Sequence, residues 1–423
     1  MSLLKKVMAK NSDLGITKDY IDYYRTGIDL FDYMNGLVSS SGELLLGVAA
    51  GRAIQIIGNS GCGKSTITMQ FADNIRKPFL NVGAPVVHYD YERASSKERI
   101  MNLTGMTVEQ YEETYSLLNS QIHTESFFNM CVELKRAKLG LDPKDPKKID
   151  KEAAAMYSYT KNGHELVIPT PIIIDSVASM MPKEYAEDTE REAGTNMLGA
   201  QTAKINGVLL KKLLPIIEEA NIIPIMINHI TTEVSTSITP TRAQFPFLKQ
   251  GEKVSGGKAV HYLTNTLIKL ETTGKLSADK EYGISGYIVT GTLIKSRSNA
   301  AGVPFEMIFI QETGYDNFWT NYHNLKKMGL IGGAGRSFKL STYPEVTFAQ
   351  KDAKDKYNTI PAFKEAFDIA VKEAYTKMTL DLDKIKPDDL YVAVEGETNL
   401  FMKDGLYYEL KDGSYVEVEV EVV

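Results

Sequence analysis

The strongest chemical signal in the sequence lies between residues 58 and 65, which fit the pattern G-x-x-x-x-G-K-[ST]. Glycines at these spacings let backbone N–H groups turn inward around phosphate oxygens, at the positive end of a helix. The lysine would reach the β- and γ-phosphates of a nucleotide, and the hydroxyl that follows would ligate Mg²⁺. An ordinary glycine-rich turn is the alternative interpretation. The predicted phosphate-binding residues are Gly58, Asn59, Ser60, Gly61, Cys62, Gly63, Lys64 and Ser65.

Acidic residues follow two other apolar segments, where they could complete a phosphoryl-transfer site. Asp175 ends the apolar run 171–174 and could hold Mg²⁺ directly or through water. Glu92 lies just beyond the segment Val86–Asp90 and could polarise an attacking water molecule. Each acid has a simpler alternative, because Asp is a common turn former and Glu92 could be a solvated residue beside Arg93.

A further apolar run ends in the polar pair Asn228 and His229. Ligands of open α/β sheets bind outside the carboxyl ends of the strands, and this pair lies at such an end. The alternative is that the pair only caps the strand and contacts no ligand.

These residues need a sheet whose strands end side by side. Apolar, β-branched runs alternate with helical patterns from about residue 47 to residue 314, which is typical of an α/β fold. The first four runs are mostly apolar, as expected of parallel strands covered by helices on both faces. We therefore predict a twisted, mostly parallel sheet flanked by helices. The predicted strands are Ala53–Ile57, Val86–Asp90, Ile172–Asp175, Ile222–Asn228, Leu263–Glu271 and Tyr287–Lys295, and the predicted helices include Leu198–Ala220, Asn321–Met328 and Ile360–Lys377.

The length of 423 residues predicts more than one folding unit. We expect a small N-terminal segment at 1–45, a core at 46–314, an α/β C-terminal domain at 315–380 and an acidic extension at 381–423. The stretch 140–165 is polar and lysine-rich, which indicates an insertion or a long loop. The extension has twelve Asp and Glu against four Lys and ends in alternating Val and Glu, which predicts an edge strand.

Composition excludes several classes of protein. No run reaches the roughly 18 apolar residues of a membrane helix, and the first residues lack the apolar region of a signal peptide. Two cysteines, Cys62 and Cys131, exclude a disulfide scaffold and a cysteine-based zinc site. We therefore expect a cytoplasmic protein with no membrane partner. The net charge of −6 argues against nucleic acid as a partner unless a local basic surface contacts it.

The order of these features is similar to that in RecA-family recombinases. Along the chain follow the phosphate loop, the Glu92 strand, the Asp175 strand, a long helix, the Asn228–His229 strand, a polar loop with Gly-Gly-Lys-Ala, and Ile-Lys-Ser-Arg at 294–297. The similarity covers about residues 45–380, and the histidine at 229 resembles the phage branch of the family. It implies a RecA-type P-loop ATPase core, an N-terminal segment used in oligomerisation, and ATP-dependent strand exchange by helical filaments on single-stranded DNA with homologous duplex DNA.

The resemblance also implies ATP and Mg²⁺ as cofactors and a role for each residue of the site. Arg99 stands where family members often have a tyrosine that stacks on adenine. Cations delivered by a neighbouring protomer would stabilise charge on the transferring phosphoryl group, so that hydrolysis depends on assembly; a solvated strand end is the alternative for these two cations. The implied roles are phosphate and Mg²⁺ binding for Lys64, Ser65 and Thr66, the Mg²⁺-associated acid for Asp175, the catalytic base for Glu92, the γ-phosphate sensor for Asn228 and His229, and the cations that reach the neighbour's ATP for Lys295 and Arg297.

Two DNA-binding loops follow from the same resemblance, near 181–196 and 230–257. The first is acidic, so its contact with DNA rests more on backbone N–H groups than on side chains. The second has a net positive charge and aromatic residues, which can bind phosphates and stack on bases; a mobile surface loop without a ligand is the alternative. Its predicted DNA-binding residues are Arg242, Phe245, Phe247, Lys249, Lys253, Gly256, Gly257 and Lys258.

Two other functions are compatible with the same residues. A ring-forming DNA helicase or translocase would share the phosphate loop, the acids and the cations supplied by a neighbour. A filament protein that uses ATP only as a switch would bind the nucleotide and hardly hydrolyse it. Closed rings distinguish the first from open filaments on DNA, and turnover near zero identifies the second. Single-strand-binding and loader proteins are further partners that the resemblance implies.

Overall fold

A computed structural model of the chain describes residues 20–145, 148–186, 196–232, 245–254, 257–278, 282–380, 392–393, 400–403, 406–411 and 414–418. The strands in chain order are β1 (Tyr23–Tyr24), β2 (Leu37–Val38), β3 (Leu44–Leu45), β4 (Val48–Ala49), β5 (Ala53–Gly58), β6 (Val86–Asp90), β7 (Tyr115–Leu118), β8 (Ser158–Lys161), β9 (His164–Val167), β10 (Thr170–Asp175), β11 (Ile222–Thr232), β12 (Glu252–Val254), β13 (Thr264–Leu276), β14 (Gly286–Lys295), β15 (Pro304–Ile310), β16 (Gly314–Tyr315), β17 (Ile331–Gly332), β18 (Phe338–Leu340), β19 (Tyr343–Phe348), β20 (Val392–Ala393), β21 (Leu400–Lys403), β22 (Leu406–Lys411) and β23 (Ser414–Val418).

The α-helices in chain order are α1 (Asp29–Met34), α2 (Lys64–Arg76), α3 (Lys97–Thr104), α4 (Val108–Thr114), α5 (Thr124–Lys138), α6 (Lys151–Ala155), α7 (Lys183–Ala186), α8 (Asn196–Glu219), α9 (Gly257–Leu263), α10 (Asn317–Lys327), α11 (Ala353–Thr359) and α12 (Pro361–Thr379). Short 3₁₀ turns cover Lys77–Val82, Val177–Ser179 and Gln350–Asp352. Within these described ranges, no helix combines the length and the apolar character needed to cross a membrane.

A ten-stranded sheet forms the centre of the molecule, in the order β16-β15-β14-β13-β5-β11-β10-β6-β7, with β12 added to β11. Neighbouring strands are parallel from β13 to β7 and antiparallel from β13 to β16. The fold is therefore α/β with a mixed, mostly parallel sheet, as predicted. All six predicted strands and the three predicted helices are present, with ends that differ by a few residues.

Helices cover both faces of the parallel part of the sheet, and β10 shows why. All six of its residues are buried. Ile172 and Ile174 pack in one apolar cluster with Phe127 of α5 and Leu213 of α8. Ile173 points to the other face and joins a cluster that includes residues of α2 and α3. A strand that is apolar on both sides needs a helix layer on each, which is what its uninterrupted apolar run indicated.

The polar stretch 140–165 was predicted as an insertion or a long loop, and the residues described there are folded, so the long loop was wrong. Asp150 caps α6 by accepting two backbone N–H groups. Asn162 and Gly163, with φ of 51° and 77°, form the tight turn of the β8–β9 hairpin. An Asn-Gly pair between two strands is a strong hairpin signal. The lysines and glutamate around it gave the stretch the polar composition of a loop, so the hairpin was not predicted.

This hairpin holds the N-terminal segment against the core. The Tyr159 hydroxyl donates to Asp22 Oδ2 at 2.6 Å, and Lys161 Nζ donates to Asp22 Oδ1 at 2.6 Å. The hydroxyl groups of Tyr24 and Tyr159 lie 2.8 Å apart. Because Asp22 is buried, its charge needs partners, and within the described part of the chain these are the two hairpin side chains and the Tyr23 N–H.

Asn221 joins the same contacts to the start of the central sheet. It follows α8 and has a φ of 48°, in the left-handed region. Its Nδ2 donates to the Tyr24 hydroxyl and to Val167 O, both at 2.6 Å, and its Oδ1 accepts the Gly51 N–H at 3.0 Å. One buried side chain therefore connects the N-terminal segment, the hairpin and the residue that leads into β5.

The acidic extension contains a four-stranded antiparallel sheet in the order β20-β21-β22-β23. The strand β23 lies at its edge and contains Val416–Val418, the described part of the Val-Glu run that was predicted to form an edge strand. The rest of the alternating Val-Glu pattern lies outside the described residues.

Replacing Asn221 tests how much this junction stabilises the fold. Asn221→Ala is expected to lower the free energy of unfolding by about 4–5 kcal/mol, because three hydrogen bonds contribute about 1 kcal/mol each and the left-handed backbone, which asparagine tolerates, costs alanine about 1–2 kcal/mol. Asn221→Gly loses the same bonds but adopts this backbone freely, so its loss should be about 1 kcal/mol smaller. Chemical denaturation measures both values. A loss below about 1 kcal/mol for both variants would contradict the role given to Asn221.

Candidate functional site

The predicted phosphate loop lies between β5 and α2, with Gly63 as the residue that caps the helix. Gly58 has no room for a side chain, since a Cβ there would lie 2.5 Å from Leu270 O. Gly63 has a φ of 79°, and a Cβ there would lie 3.0 Å from the rings of Phe309 and Tyr315. Both positions therefore require glycine for a structural reason, and the loop is shaped by its neighbours in the sheet.

Lys64 lies inside the loop and is 7% exposed. Its Nζ donates to Gly58 O at 3.0 Å and to Asn59 O at 2.8 Å. The first N–H groups of a helix have no partner within that helix and favour an anion. The loop thus combines a cation, the start of a helix and turning glycine backbone, which is the donor set that a phosphate group requires.

Asp175 meets Ser65 at the floor of this cleft, where Ser65 Oγ donates to Asp175 Oδ2 at 2.6 Å. Burial raises the pKa of Asp175 to about 6, and the neighbouring carboxylates of Glu92 and Asp90 act in the same direction, while the Ser65 hydrogen bond opposes them. The carboxylate is therefore held in an environment that favours its protonated form. A cation beside it would stabilise the ionised form.

Glu92 is held at the cleft by a turn that follows β6. Its N–H donates to Asp175 O at 3.3 Å. The carboxylate of Asp90, which is fully buried, accepts the N–H groups of Ala94 at 3.2 Å and Ser95 at 2.8 Å. Asp90 therefore shapes the turn that carries Glu92. The local sequence pattern indicates only that Asp90 lies at a strand end, because its hydrogen-bond partners follow it around a turn whose shape that pattern does not predict.

His229 contacts Glu92, with Nε2 and Oε1 2.9 Å apart. Burial alone would raise the pKa of Glu92, but hydrogen bonds from His229 and Ser176, together with the charges of His229 and Lys64, lower it. Glu92 is thus ionised at neutral pH, as a base must be. The Asn228 side chain accepts the His229 N–H at 2.9 Å, so the two residues predicted as a sensor and the residue predicted as the base form one connected group.

The cleft has a volume of about 300 Å³ and is lined by loop residues together with Glu92, Asp175 and His229. Arg99 also lines it, and its guanidinium donates to Thr66 Oγ1 at 3.0 Å. The structure therefore brings together residues from the loop after β5, α2, the turn after β6, α3, β10 and β11, several of which are far apart in the sequence. Every predicted nucleotide-binding residue lies in or beside this cleft.

The residues present fit a nucleotide with Mg²⁺. The described part of the chain contains no group of three or more His, Cys, Asp or Glu side chains able to hold a metal ion by themselves. Mg²⁺ in nucleotide sites needs no such cage, because one or two protein oxygens, substrate phosphates and water complete its shell. Ser65 Oγ and Asp175 Oδ2, 2.6 Å apart, supply such a pair of oxygens.

Tyr315 supports the loop from below, and sequence reasoning missed it. Its hydroxyl donates to Cys62 O at 2.7 Å. Its backbone N–H donates to Gln70 Oε1 at 2.9 Å, and its carbonyl accepts from Gln70 Nε2 at 3.1 Å. These contacts fasten the edge strand β16 under α2 and the loop. Gly314 and Tyr315 carry no local signal for this role, since it arises from contacts across 253 residues.

Lys295 and Arg297 lie at the other end of β5 from the phosphate loop. Lys295 Nζ donates to His261 O and Thr264 O, both at 2.6 Å, and Thr264 is paired with Ala53, the first residue of β5. Arg297 lines a separate cavity of about 430 Å³ beside Ala53. Five residues of strand separate Ala53 from Gly58, a distance of about 16 Å. Neither cation therefore contacts the cleft of its own chain.

The second predicted loop differs from the prediction at both ends. The strand β11 continues to Thr232, and Ile230–Thr232 pairs with Glu252–Val254 of β12. The segment 230–257 (the 230–257 excursion) therefore leaves the sheet and returns to it through a short antiparallel strand pair. The apolar residues Ile230 and Val254 pack in one cluster on the sheet, which explains why strand pairing continues.

The described DNA-binding candidates lie on the part of this segment that returns to the sheet, residues 245–254, and at the start of α9. Phe245 packs edge-on against His261, with ring centroids 4.5 Å apart. Phe247 is 55% exposed and has a φ of 68°. Lys249 pairs with Glu271 at 2.6 Å. Lys253 belongs to β12, Gly257 and Lys258 begin α9, and Arg242, Gly256 and residues 187–195 of the first predicted loop lie outside the described residues.

Comparisons with known proteins add no assignment to this geometry. A scan against protein-family models found no match, and a search of curated proteins found no match to the sequence either.

Asp175→Asn tests the electrostatic state of the cleft. The raised pKa means that the folded protein holds this proton more tightly than the unfolded chain does, so the carboxylate destabilises the fold increasingly as pH rises from about 4 to about 6. Asparagine keeps an oxygen for Ser65 and removes the charge. At pH 7.5, without Mg²⁺ or nucleotide, the variant should be more stable than the wild type by up to about 3 kcal/mol, and the difference should shrink below pH 5.

Denaturation curves at pH 4.5 and pH 7.5 measure this difference. Asp355→Asn, which removes an exposed carboxylate on α11, controls for the loss of one negative charge. An Asp175→Asn effect that does not change with pH would contradict the assignment.

Proposed function

We propose that this protein is an ATP-dependent DNA recombinase with a RecA-type core, which forms helical filaments on single-stranded DNA and exchanges strands with a homologous duplex. The observation that carries the proposal is the contact between His229 and Glu92. His229 lies one residue before the strand pair that opens the 230–257 excursion. A ligand that orders this excursion would act on the position of Glu92, and thereby on turnover at the cleft.

The side chains of the cleft have complementary roles in hydrolysis of ATP. Lys64 provides positive charge beside the phosphates, and Glu92 accepts a proton from the attacking water. Ser65 and Asp175 would hold Mg²⁺, which supplies neutralisation of phosphate charge when bound. His229 and Ser176 orient the Glu92 carboxylate and hold its proton affinity low. Such a base works best when the substrate is already well positioned, which makes turnover sensitive to small shifts of His229.

The position of Lys295 and Arg297 supports assembly into an open filament. They lie towards the opposite end of β5 from the phosphate loop of their own chain, and β5 itself is about 16 Å long. Copies stacked head to tail would bring this end of one chain to the cleft of the next, and a contact of that kind does not close on itself unless the rotation allows it. Cations from the neighbour would then complete the cleft and restrict hydrolysis to the assembled protein.

Steady-state ATP hydrolysis with and without single-stranded DNA tests the proposal. We expect strong stimulation by DNA in the wild type and a loss of about 10²-fold or more in Lys64→Ala, because the cation at the phosphates is removed. High turnover without DNA, or none with it, would remove the DNA-coupled part of the proposal. Electron microscopy of the same samples separates open filaments from the closed rings of a helicase.

Mixing two inactive variants tests whether the cations act between protomers. Lys64→Ala damages the cleft, and the double variant Lys295→Ala with Arg297→Ala damages the opposite end. In a one-to-one mixture, about a quarter of the interfaces combine an intact cleft with intact neighbouring cations, so the mixture should recover about a quarter of wild-type turnover. If the mixture stays as inactive as its components, the cations do not act across an interface.

A further inference from the structure

The limb that returns from the 230–257 excursion, residues 245–254, lies against the sheet beside the phosphate loop. Leu248 and Val254 pack on Ile57 and Leu267 in one apolar cluster. Ile57 is the last residue of β5 before Gly58, so this limb covers the strand that delivers the loop. The predicted DNA contact Lys249 is part of this limb.

A buried ion pair anchors the turn that carries Lys249. Lys269 is 3% exposed and donates to both carboxylate oxygens of Glu252 at 2.8 Å. Glu252 in turn accepts the backbone N–H of Lys249 at 2.8 Å, and its own N–H donates to Lys249 O at 3.0 Å. A buried charge that lost this partner would be costly, so the backbone of the turn is fixed against β13.

The ammonium group of Lys249 is held more loosely. Its Nζ pairs with Glu271 Oε1 at 2.6 Å, with 69% of the Lys249 side chain and 32% of the Glu271 side chain exposed. Hydrogen bonding and charge from Lys249, with the charge of Lys269, lower the pKa of Glu271 although burial alone would raise it. Glu271 is therefore a carboxylate anion that binds a solvent-accessible lysine at the mouth of the predicted DNA loop. A DNA phosphate would offer the same lysine the same kind of partner.

We propose that Glu271 is an autoinhibitory mimic of a DNA phosphate, which occupies Lys249 until a backbone phosphate of single-stranded DNA displaces it. This inference rests on the proposed function. The anchored turn keeps Lys249 in place while its ammonium exchanges one oxyanion for another. DNA binding at this position is thus an exchange of ion pairs, and its strength is the difference between two contacts of similar chemistry.

The exchange of partners at Lys249 also changes the local charge beside the nucleotide cleft. Leu270, the residue before Glu271, is paired with Gly58, and its carbonyl oxygen lies 2.5 Å from the position of a Cβ on Gly58. The thiol of Cys62 in the phosphate loop has a pKa raised mainly by burial, with a contribution from the charge of Glu271. Displacing Lys249 leaves the Glu271 carboxylate with Lys269 at 3.3 Å as its remaining cation. The local charge beside the phosphate loop therefore becomes more negative when DNA takes Lys249.

A double-mutant cycle on DNA affinity tests the mimic. Glu271→Gln keeps the shape of the side chain and removes the competing charge, so it should tighten binding of a fluorescent single-stranded oligonucleotide by about two- to fivefold at low salt, the range expected of an exposed ion pair. In a Lys249→Gln background the same change should have no such effect, because the lysine that Glu271 occupies is absent. Anisotropy titrations give all four dissociation constants.

Two controls separate this result from a general change of charge. Glu113→Gln removes the same charge from an exposed position on α4 and should leave affinity close to that of the wild type. Thermal melts of each variant show whether the limb stays folded. Equal tightening by Glu271→Gln with and without Lys249, or none in either background, would overturn the inference. If the wild type itself does not bind single-stranded DNA, the proposed function fails instead.

Discussion

The parallel register of β5 with its two neighbours is the constraint on which the rest of the site depends. Gly58 is paired with His229 on one side and with Leu270 on the other, and Asp90 is paired with Asp175 two strands away. Because side chains alternate between the faces of a strand, a slip of one residue would turn His229 away from Glu92. The register is specified by apolar side chains buried on both faces. Packing of the hydrophobic core thus sets the geometry of the polar cleft.

The surrounding fold holds a charged side chain of the cleft in an environment that is unfavourable for its charge. Asp175 is a carboxylate in an environment that raises its pKa, and the Lys64 ammonium is occupied by carbonyl groups of its own loop. Tyr315 and Asp90 keep the backbone in place beneath and beside these groups. Asp175 therefore reduces stability locally at neutral pH, and the surrounding fold compensates for it. A fixed backbone is likewise combined with an exchangeable side chain at Lys249. The buried Lys269–Glu252 pair fixes the turn, and the exposed Lys249–Glu271 pair remains exchangeable.

Local patterns in the sequence predicted the parts of the molecule whose signal is local. The phosphate loop, the acids at strand ends, the main strands and the long helices all lie where periodicity and turn chemistry indicated. Contacts between distant segments were not predictable in this way: Tyr315 under Cys62, the Asp22 contacts of the β8–β9 hairpin, and Glu271 beside Lys249 have no mark in the sequence around them. Lys249 was predicted from its charge and from the loop that the family resemblance implies, and its anionic partner follows only from the packing of residues 245–254 on β5 and β13.

The attachment of the N-terminal segment through the hairpin and Asn221 has a consequence for the order of folding. Tyr24 and Asn221, which share a hydrogen bond, are 197 residues apart. At roughly 5–20 residues per second, a ribosome needs about 10–40 s to make the chain between them. Tyr24 is therefore synthesised well before the residue that holds it in place, and during that interval this aromatic side chain, which is buried in the fold, is exposed to solvent. Contacts over such sequence distances also slow folding after release, because loop closure precedes the contacts that offset its entropy.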